Sequence, residues 1–508
     1  MSGSAREHCL RRRLACPGCG TGRKSSPSRD ADFESGLCSL FATVRVVTDD
    51  GAFRKGLRLF PQAADAFGYG VRTVIRMGAF GRMRKLLSFT PPDMQEARPE
   101  SVSHRYVFYI PGYDPEAKTR YRLLFVREWA RYTKRFGGRR EISRAQTSED
   151  GLVQSWTVSA PDQGDGAETR YDVLLWDDIV AADFARSRFL SVALLVVGTL
   201  HMILIGLLFR FYRLNWKYGN VILYPFVMVI LLTALSLVIG VTVHAHLGDA
   251  FGHSLRWPLW VSLPLAVVAG IVWIKAIEAF LNRVFFWQLL NDWVFNWQHG
   301  QGLRPDYERR LDAFAAHILS SLAARSAAGE ATDEVMIVGH SSGGLTAVEV
   351  AARVLARDGT IGTSGANLSL VTLGSGLPLV AMQPAATRLR AEIAGLVTER
   401  RIVWCDFHAP QDWMNFPGFN PLQHLGLELH GQPVANPLVR SARFRDLICP
   451  ETYRRVRFRP FRMHFQFLLA NERPGAYDFF AMTLGPRRLR EQVLAPAACP
   501  EREPALPL

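Results

Sequence analysis

The segment 334–353 contains a serine whose neighbours are typical of an enzymatic nucleophile. Gly339 and Gly343 flank Ser341 in the pattern Gly-x-Ser-x-Gly. Before this pattern the apolar run 335–338 predicts a short buried strand, and after it apolar residues recur at helical spacing. A sharp turn between such a strand and helix holds the serine in a strained, exposed conformation. The pattern therefore predicts a serine that attacks a carbonyl carbon, and the alternative is a serine–glycine turn without reactivity.

This strand, turn and helix resemble those of the α/β-hydrolase family, in which an acid and then a histidine follow the nucleophile along the chain. The resemblance covers about 105–180 and 305–485. It implies the α/β fold class, with a mostly parallel sheet flanked by helices. It also implies hydrolysis of an acyl ester through serine, histidine and aspartate, without a metal or another cofactor.

The segment 105–115 is similar to the strand and loop that supply one amide of the oxyanion hole in this family. It ends in Pro-Gly-Tyr-Asp-Pro, where many members have His-Gly. The resemblance implies that the backbone amide of Ser342 and an amide near Tyr113, in the loop that contains Gly112, stabilise the oxyanion.

The sharp turn that holds Ser341 is called the elbow below. After it, two apolar runs that end in turn residues, 368–376 and 401–416, predict parallel strands. In the family that the sequence resembles, the acid lies in the loop after such a strand. Asp412 is past the end of the second predicted strand, whereas Asp406 is still within it. We therefore predict Asp412 as the acid and keep Asp406 as the alternative.

Four histidines follow the elbow, and the resemblance requires one of them after the acid. His408 precedes Asp412, which breaks the expected order. His464 stands where a basic segment gives way to an apolar helix, and we predict that it is the catalytic histidine. His424 and His430, in a stretch rich in glycine and proline, remain alternatives. His464 would accept the serine proton, and Asp412 would orient its imidazole.

Three long uncharged runs, 189–209, 221–248 and 257–274, separate the two halves of the predicted hydrolase domain. As a helix, the first would be about 31 Å long, the thickness of a hydrocarbon core. The following residues, 275–297, combine many aromatic side chains with a few charges and predict a helix that lies along the lipid headgroups. These patterns predict a membrane-embedded helical insertion in the α/β domain.

The strand near Ile110 precedes this insertion and the elbow follows it. Because both belong to one sheet in the hydrolase interpretation, the number of membrane crossings between them must be even. We predict two crossings and an interfacial or re-entrant third segment, with four crossings as the alternative.

The whole chain is thus predicted to have five parts. They are a basic, partly disordered N-terminal region 1–100, the first part of the hydrolase domain 101–185, the insertion 186–300, the second part of the domain 301–490, and a tail 491–508.

The formal net charge of +14 is concentrated at the beginning of the chain. Residues 1–140 contain 27 Lys and Arg against 13 Asp and Glu, whereas the remainder contains 33 of each. No pattern of a nucleic-acid-binding module organises this excess, so we expect an anionic membrane surface as partner and no nucleic acid. The lone pair Cys16 and Cys19 lacks a second pair of ligands, so we expect no zinc site there.

No apolar signal segment follows the basic residues 11–13, so we expect an integral protein of a bacterial inner (plasma) membrane with its hydrolase domain in the cytoplasm. Three basic residues in the short loop 210–220 argue against this orientation. About 25 residues separate Gly376 from Arg401, too few for a large lid. The insertion would then shape the substrate entrance, which favours an acyl ester dissolved in the bilayer, such as a glycerolipid or lysolipid. The alternatives are an acyltransferase with the same three residues and a non-catalytic membrane scaffold.

Overall fold

The computed structural model of the protein describes residues 101–138, 140–159, 167–250, 259–363 and 365–494. The expectations for 1–100, including the Cys16 and Cys19 pair, and for most of the tail lie outside these residues. Within them, the chain is a mixed α/β protein with one mostly parallel sheet flanked by helices.

Nine strands form the sheet in the order β2-β4-β5-β1-β6-β7-β8-β9, and β3 pairs with β4. The strands are β1 (His104–Ile110), β2 (Glu141–Ile142), β3 (Gln146–Thr147), β4 (Val153–Ser159), β5 (Glu168–Leu174), β6 (Glu334–His340), β7 (Asn367–Leu373), β8 (Ile402–His408) and β9 (Leu438–Ser441). The path from β5 through β1 to β9 is parallel, and β4 is antiparallel to its neighbours. All residues of β6 and β7 are buried, as expected for central strands covered on both faces.

Helices before the elbow include those of the insertion. They are α1 (Ala117–Phe136), α2 (Asp177–Ala185), α3 (Arg188–Leu204), α4 (Leu207–Leu214), α5 (Trp216–Ala250), α6 (Leu259–Ala276), α7 (Glu278–Arg283), α8 (Phe286–Gly300) and α9 (Pro305–Ala327). The helices after the elbow are α10 (Ser342–Arg357), α11 (Leu377–Ala381), α12 (Thr387–Thr398), α13 (Pro421–His424), α14 (Phe444–Leu447), α15 (Pro450–Val456), α16 (Pro460–His464), α17 (Phe479–Leu484) and α18 (Leu489–Leu494). A 3₁₀ turn, Phe465–Leu468, continues α16.

Helices cover both faces of the sheet and so bury its apolar strands. On one face α10 packs on β6 and β7, with α9 and α12 beside it. On the other face, Phe125 and Trp129 of α1 pack with Phe480 of α17 in an aromatic cluster. Alternate strand residues such as Val107 and Tyr109 face this cluster.

The two halves of the α/β domain meet in the middle of the sheet. β1, which precedes the insertion, is hydrogen-bonded in parallel to β6, which follows it, and Ile110 is in register with Gly339. The predicted sharing of one sheet by the two halves is confirmed. If the insertion crosses a bilayer, it must therefore return to the side from which it started.

Within the described residues, one helix is long and apolar enough to cross a membrane, Trp216–His246 of α5. α6 packs along α5, where Gly270 lies against Ser236. Both helices expose apolar side chains, among them Val241 of α5, 67% exposed, and Val272 of α6, 60% exposed. Such an uncovered apolar surface is unusual for a helix pair surrounded by water.

The first uncharged run, 189–209, does not form the single straight helix that its composition predicts. α3 ends at Leu204, and Gly206 adopts a φ of 69° before α4 begins. The left-handed conformation of Gly206 ends the first helical segment, and α3 lies against α8, where a Cβ on Gly198 would come within 2.9 Å of the Trp297 ring. Together, α2 and α3 are long and apolar enough to cross a membrane, but the two helices are bent by 102° relative to each other.

α8 also differs from the predicted helix along the headgroups. Its aromatic side chains pack against protein, and Phe295 is fully buried between Trp176 and Tyr307. Trp293 donates its indole hydrogen to Thr199 Oγ1 of α3 over 3.1 Å. Aromatic composition predicts an interface equally well between lipid and water or between protein layers, and here the protein layers bury the helix.

Candidate active site

Ser341 occupies the turn between β6 and α10 in a strained backbone conformation. Its φ of 60° and ψ of −127° are rare for a residue with a side chain. The turn is fixed because the Ser341 amide donates to Leu373 O over 3.0 Å and its carbonyl accepts from the Gly376 amide over 3.0 Å. A Cβ on Gly339 would collide with the backbone of Gly343. The small flanking residues are therefore required by the close approach of strand and helix.

Asp412 and His464 form a buried pair. Asp412 lies in the loop after β8, and its Oδ2 accepts a hydrogen bond from His464 Nδ1 over 2.7 Å. The two side chains are 0% and 3% exposed. Asp412 Oδ1 accepts from the Met414 amide over 2.9 Å, which fixes the carboxylate. Because an ionised carboxylate only accepts, Nδ1 carries the proton and Nε2 has a free lone pair.

Ser341 and His464 line the same cavity, which has a volume of about 1040 Å³. His464 Nε2 is buried and has no hydrogen-bond partner among the residues that the structure places. Ser341 Oγ is therefore not yet bonded to this nitrogen, and the contact would have to tighten when substrate binds.

The alternative acid and histidines lie in other environments. Asp406 accepts from Thr372 Oγ1 of β7 over 2.5 Å. His424 Nδ1 is 2.9 Å from the carbonyl oxygen of Asn420, next to its own helix start. His430 is exposed in a turn with a φ of 49°. The structure thus pairs Asp412, and not Asp406, with His464.

The loop with Gly112 and Tyr113 lies directly against the serine. A Cβ on Gly112 would be only 3.1 Å from Ser341 Cβ. The Gly112 amide, however, donates to the hydroxyl oxygen of Tyr121 over 3.2 Å. The role of Gly112 that this geometry supports is close approach, while its amide is bound to Tyr121 of α1. Ser342 is the first residue of α10, so no carbonyl within the helix can accept from its amide.

Tyr113 is held by hydrogen bonds to two surrounding helices, α2 and α8. Its buried hydroxyl donates to Asp183 Oδ2 of α2 over 2.8 Å. Its carbonyl oxygen accepts a hydrogen bond from Gln288 Nε2 of α8. The candidate oxyanion loop is thereby anchored to a helix of the insertion.

Asp292 is a site residue that the sequence analysis did not identify. This α8 carboxylate lines the cavity, and its Oδ1 accepts from Ser342 Oγ over 2.9 Å. Burial raises the pKa of Asp292 to about 6, although its hydrogen bonds to Ser342 and Asn296 act in the opposite direction. The only sequence signal was a carboxylate within an otherwise apolar, aromatic stretch.

His340, the second residue of the elbow motif, contacts both the backbone and the ring of His464. Its Nε2 donates to the carbonyl oxygen of His464 over 3.2 Å, and the two rings have centroids 4.6 Å apart. Burial holds the pKa of His340 well below its ordinary value, and the neighbouring His464 imidazole acts in the same direction. A neutral His340 can therefore position the backbone that carries His464.

A second cluster of titratable groups joins α8 to its neighbours away from the cavity. His299, Glu308 and Glu349 offer ligand atoms that lie within 4.8 Å of one another. Arg353 and Arg388, however, each form a 2.5 Å ion pair with Glu308. Guanidinium groups already neutralise the carboxylates, so the cluster is an ion-pair network between helices.

The geometry defines a mixed α/β protein with a strained serine, an aspartate–histidine pair and one helix of membrane-spanning length. Compared with known proteins, the chain matches no family model, no curated protein and no solved structure.

Proposed function

We propose that this chain is a membrane-anchored serine hydrolase of the α/β-hydrolase type that cleaves an acyl ester. One observation carries the proposal: the strained Ser341 and the Asp412-paired His464 line a single cavity. A structural serine turn has no need of a buried imidazole whose second nitrogen is free.

In the proposed first step, His464 Nε2 accepts the proton of the Ser341 hydroxyl while Oγ forms a bond to the ester carbonyl carbon. The carbonyl π electrons move to the oxygen, and Asp412 stabilises the imidazolium. When the tetrahedral intermediate collapses, the C–O bond to the alcohol breaks and His464 protonates the departing oxygen. A water then repeats the two steps on the acyl-enzyme and releases the carboxylic acid.

The developing oxyanion would be held by the amide of Ser342 and by the amide of Tyr113. The start of α10 adds the positive end of the helix dipole at the same point. Each such donor contributes about 2.7–4 kcal/mol to transition-state stabilisation. Asp292, which lies 2.9 Å from the Ser342 hydroxyl, fixes α8 over this end of the cavity.

A lipid-like ester is the proposed substrate because α8, a helix of the insertion, forms part of the cavity wall. Trp287 and Leu289 of this helix line the cavity together with Phe285. We also propose that α5, the described helix that is long enough to cross, enters the bilayer together with α6 as a hairpin, so that the chain returns to its starting side as the β1–β6 pairing requires. This differs from the pair of spans predicted from the first two runs. A cytoplasmic domain beside an anionic inner-membrane surface remains part of the proposal.

The test is release of fatty acid from monoacyl esters of short and long chain length in detergent micelles. The parent should release fatty acid, with a preference for long chains, and Ser341→Ala should abolish release. Ser320→Ala, on the exposed face of α9, is the control and should retain the parent rate. Equal rates for the parent and Ser341→Ala would contradict the proposal, and a parent that cleaves only soluble short-chain esters would contradict its lipid part.

A further inference from the structure

The cavity that contains Ser341 has one strongly basic wall. α1 contributes three arginines to it at positions 120, 127 and 131, and α16 contributes Arg462. The spacing of seven and four residues places the α1 arginines along one side of the helix. Against these four cations, the described part of the wall contains two aspartates, Asp114 and Asp292.

The acidic partners of these arginines are already shared. Arg120 pairs with Asp114 over 3.3 Å, which uses one of the two aspartates. Arg127 Nε and Arg131 Nη1 both bind Glu128 Oε1, at 3.0 and 2.7 Å. One buried carboxylate thus serves two guanidinium groups.

Arg462 differs from the three arginines of α1 in its direct hydrogen-bond partner. Its Nη1 donates to the neutral amide oxygen of Gln466 over 3.3 Å, and it forms no salt bridge within the described ranges. Burial lowers the pKa of Arg462 and the charges of Arg131 and Arg127 add to this effect, whereas the charges of Glu128 and Glu472 act in the opposite direction. A half-buried guanidinium beside two other cations is costly unless an anion joins it.

Another part of the cavity wall is apolar. Phe461, the neighbour of Arg462, stacks on Phe285 with ring centroids 3.8 Å apart. Other apolar residues of the wall are Phe184, Trp287, Leu289, Met414, Phe465 and Leu469. Arg462, His464 and Ser341 all line this cavity. The cavity is therefore suited to a molecule with a negative group at one end and a hydrocarbon chain at the other.

We propose that Arg462, together with Arg127 and Arg131, binds an anionic phosphate or carboxylate group of the ester substrate. This inference rests on the proposed function, because it names the substrate class of the same site. The planar guanidinium of Arg462 suits two parallel hydrogen bonds to such an anion. The acyl chain then occupies the aromatic part of the cavity, and the ester carbonyl lies at Ser341.

The first experiment compares two monoacyl glycerols that share one acyl chain, one neutral and one with a phosphate, in the same detergent micelles. The measured quantity is the ratio of kcat/KM for the phosphorylated and neutral esters. Arg462→Gln should lower this ratio about tenfold or more, as expected for loss of a charged hydrogen bond. Arg462→Lys should retain part of it. Arg454→Gln, an exposed arginine paired with Glu451, is the matched control for loss of one charge.

A second arm distinguishes a lipid anion from a soluble one. Short-chain versions of both esters, below the concentration at which they form micelles, should show the same Arg462-dependent ratio if the site reads the anion itself. If Arg462→Gln lowers the ratio only for the esters in micelles, Arg462 acts through the charged micelle surface, and the proposal is overturned. An equal ratio in the parent and Arg462→Gln would also overturn it.

Binding separates this inference from the hydrolase proposal. In the Ser341→Ala background, equilibrium dialysis with the phosphorylated ester measures affinity without turnover. Weaker binding on addition of Arg462→Gln, in a parent that hydrolyses neither ester, would refute the hydrolase and retain the anion site. Unchanged binding would refute the anion site whatever the parent hydrolyses.

Discussion

Two carboxylates of one chain segment, Asp406 and Asp412, differ in the partner that the fold gives them. Asp406 lies on β8 and meets a threonine, whereas Asp412 lies in the next loop and meets His464. The family order predicted this choice from the sequence, because it places the acid past the strand end. The order of residues along the chain could not predict Asp292, because it lies on a helix of the insertion, 49 residues before Ser341.

Asp412→Asn and Asp406→Asn form a matched pair for catalysis. Asparagine at position 412 would favour the wrong imidazole tautomer, so fatty-acid release should fall on the order of 10⁴-fold. Asp406→Asn retains an acceptor for Thr372 and should keep a rate near that of the parent. A similar loss in both variants would show that Asp412 acts only through folding.

Asp406→Asn also predicts a pH dependence of stability. Burial raises the pKa of Asp406 to about 6 from an ordinary value of 3.8. Between these values the folded state binds more protons than the unfolded state, so this group makes the free energy of unfolding fall as the pH rises. Asparagine has no proton to lose, so the variant should gain on the order of 1–3 kcal/mol at pH 7.5 and little at pH 4.

Denaturant unfolding of parent and variant at the two pH values measures this difference. A gain of equal size at pH 4 and pH 7.5 would mean that packing, and not ionisation, explains it.

At the level of elements, the site depends on the contact between the elbow and the loop after β1. The elbow itself could be predicted because β6, Ser341 and α10 are consecutive in the chain. The β1 loop was found through the resemblance, but the use of the Gly112 amide by Tyr121 could not be, since that contact depends on how α1 lies on the sheet. The break at Gly206 was missed because composition reports apolarity and not packing.

Gly112→Ala tests this contact. The added methyl group would lie 3.1 Å from Ser341 Cβ and 3.3 Å from His340 O, so the loop and the amide that we propose as an oxyanion donor must move. We expect fatty-acid release to fall, but by less than the roughly 10²-fold effect of misplacing a catalytic group by about 1 Å, because a shift of a few tenths of an ångström relieves the contact.

Gly395→Ala is the control for glycine replacement. Gly395 is exposed on α12 and has no atom within 4 Å of an added Cβ. It should keep the parent rate and gain about 1 kcal/mol of stability from helix propensity. A parent-like rate for Gly112→Ala would show that the loop does not contribute to the reaction.

At the level of the whole molecule, the insertion lies between β5 and β6 in the chain, and its helices α5 and α6 expose apolar side chains. The sequence predicted the insertion and the shared sheet, because both follow from the order of long apolar runs and strands. Of the two runs predicted to cross the membrane, 221–248 lies in α5, the described helix that is long and apolar enough to do so, whereas 189–209 is broken at Gly206 and its helix α3 packs against α8. Which apolar helix is covered by protein depends on long-range packing that a hydropathy pattern does not contain.

A double change, Val238→Lys and Val241→Lys, tests whether the α5–α6 hairpin anchors the protein. These side chains are 61% and 67% exposed, and each lysine would cost about 2.5–3.5 kcal/mol at a bilayer centre. The variant should move from the membrane pellet to the supernatant on carbonate extraction, whereas the parent should stay in the pellet. Leu303→Lys, at a residue 58% exposed outside the hairpin, should behave like the parent. A parent that is itself extracted by carbonate would contradict the anchor.

The central claim is that His464 and Asp412 activate Ser341, and covalent labelling with a fluorophosphonate measures this most directly. Intact-mass and peptide analysis of the full chain should show one phosphonyl group per molecule, on Ser341. Labelling should be lost in Ser341→Ala and should slow strongly in His464→Gln, with folding checked by thermal unfolding. A folded parent that stays unlabelled, or that is labelled equally fast without the imidazole, would contradict the account.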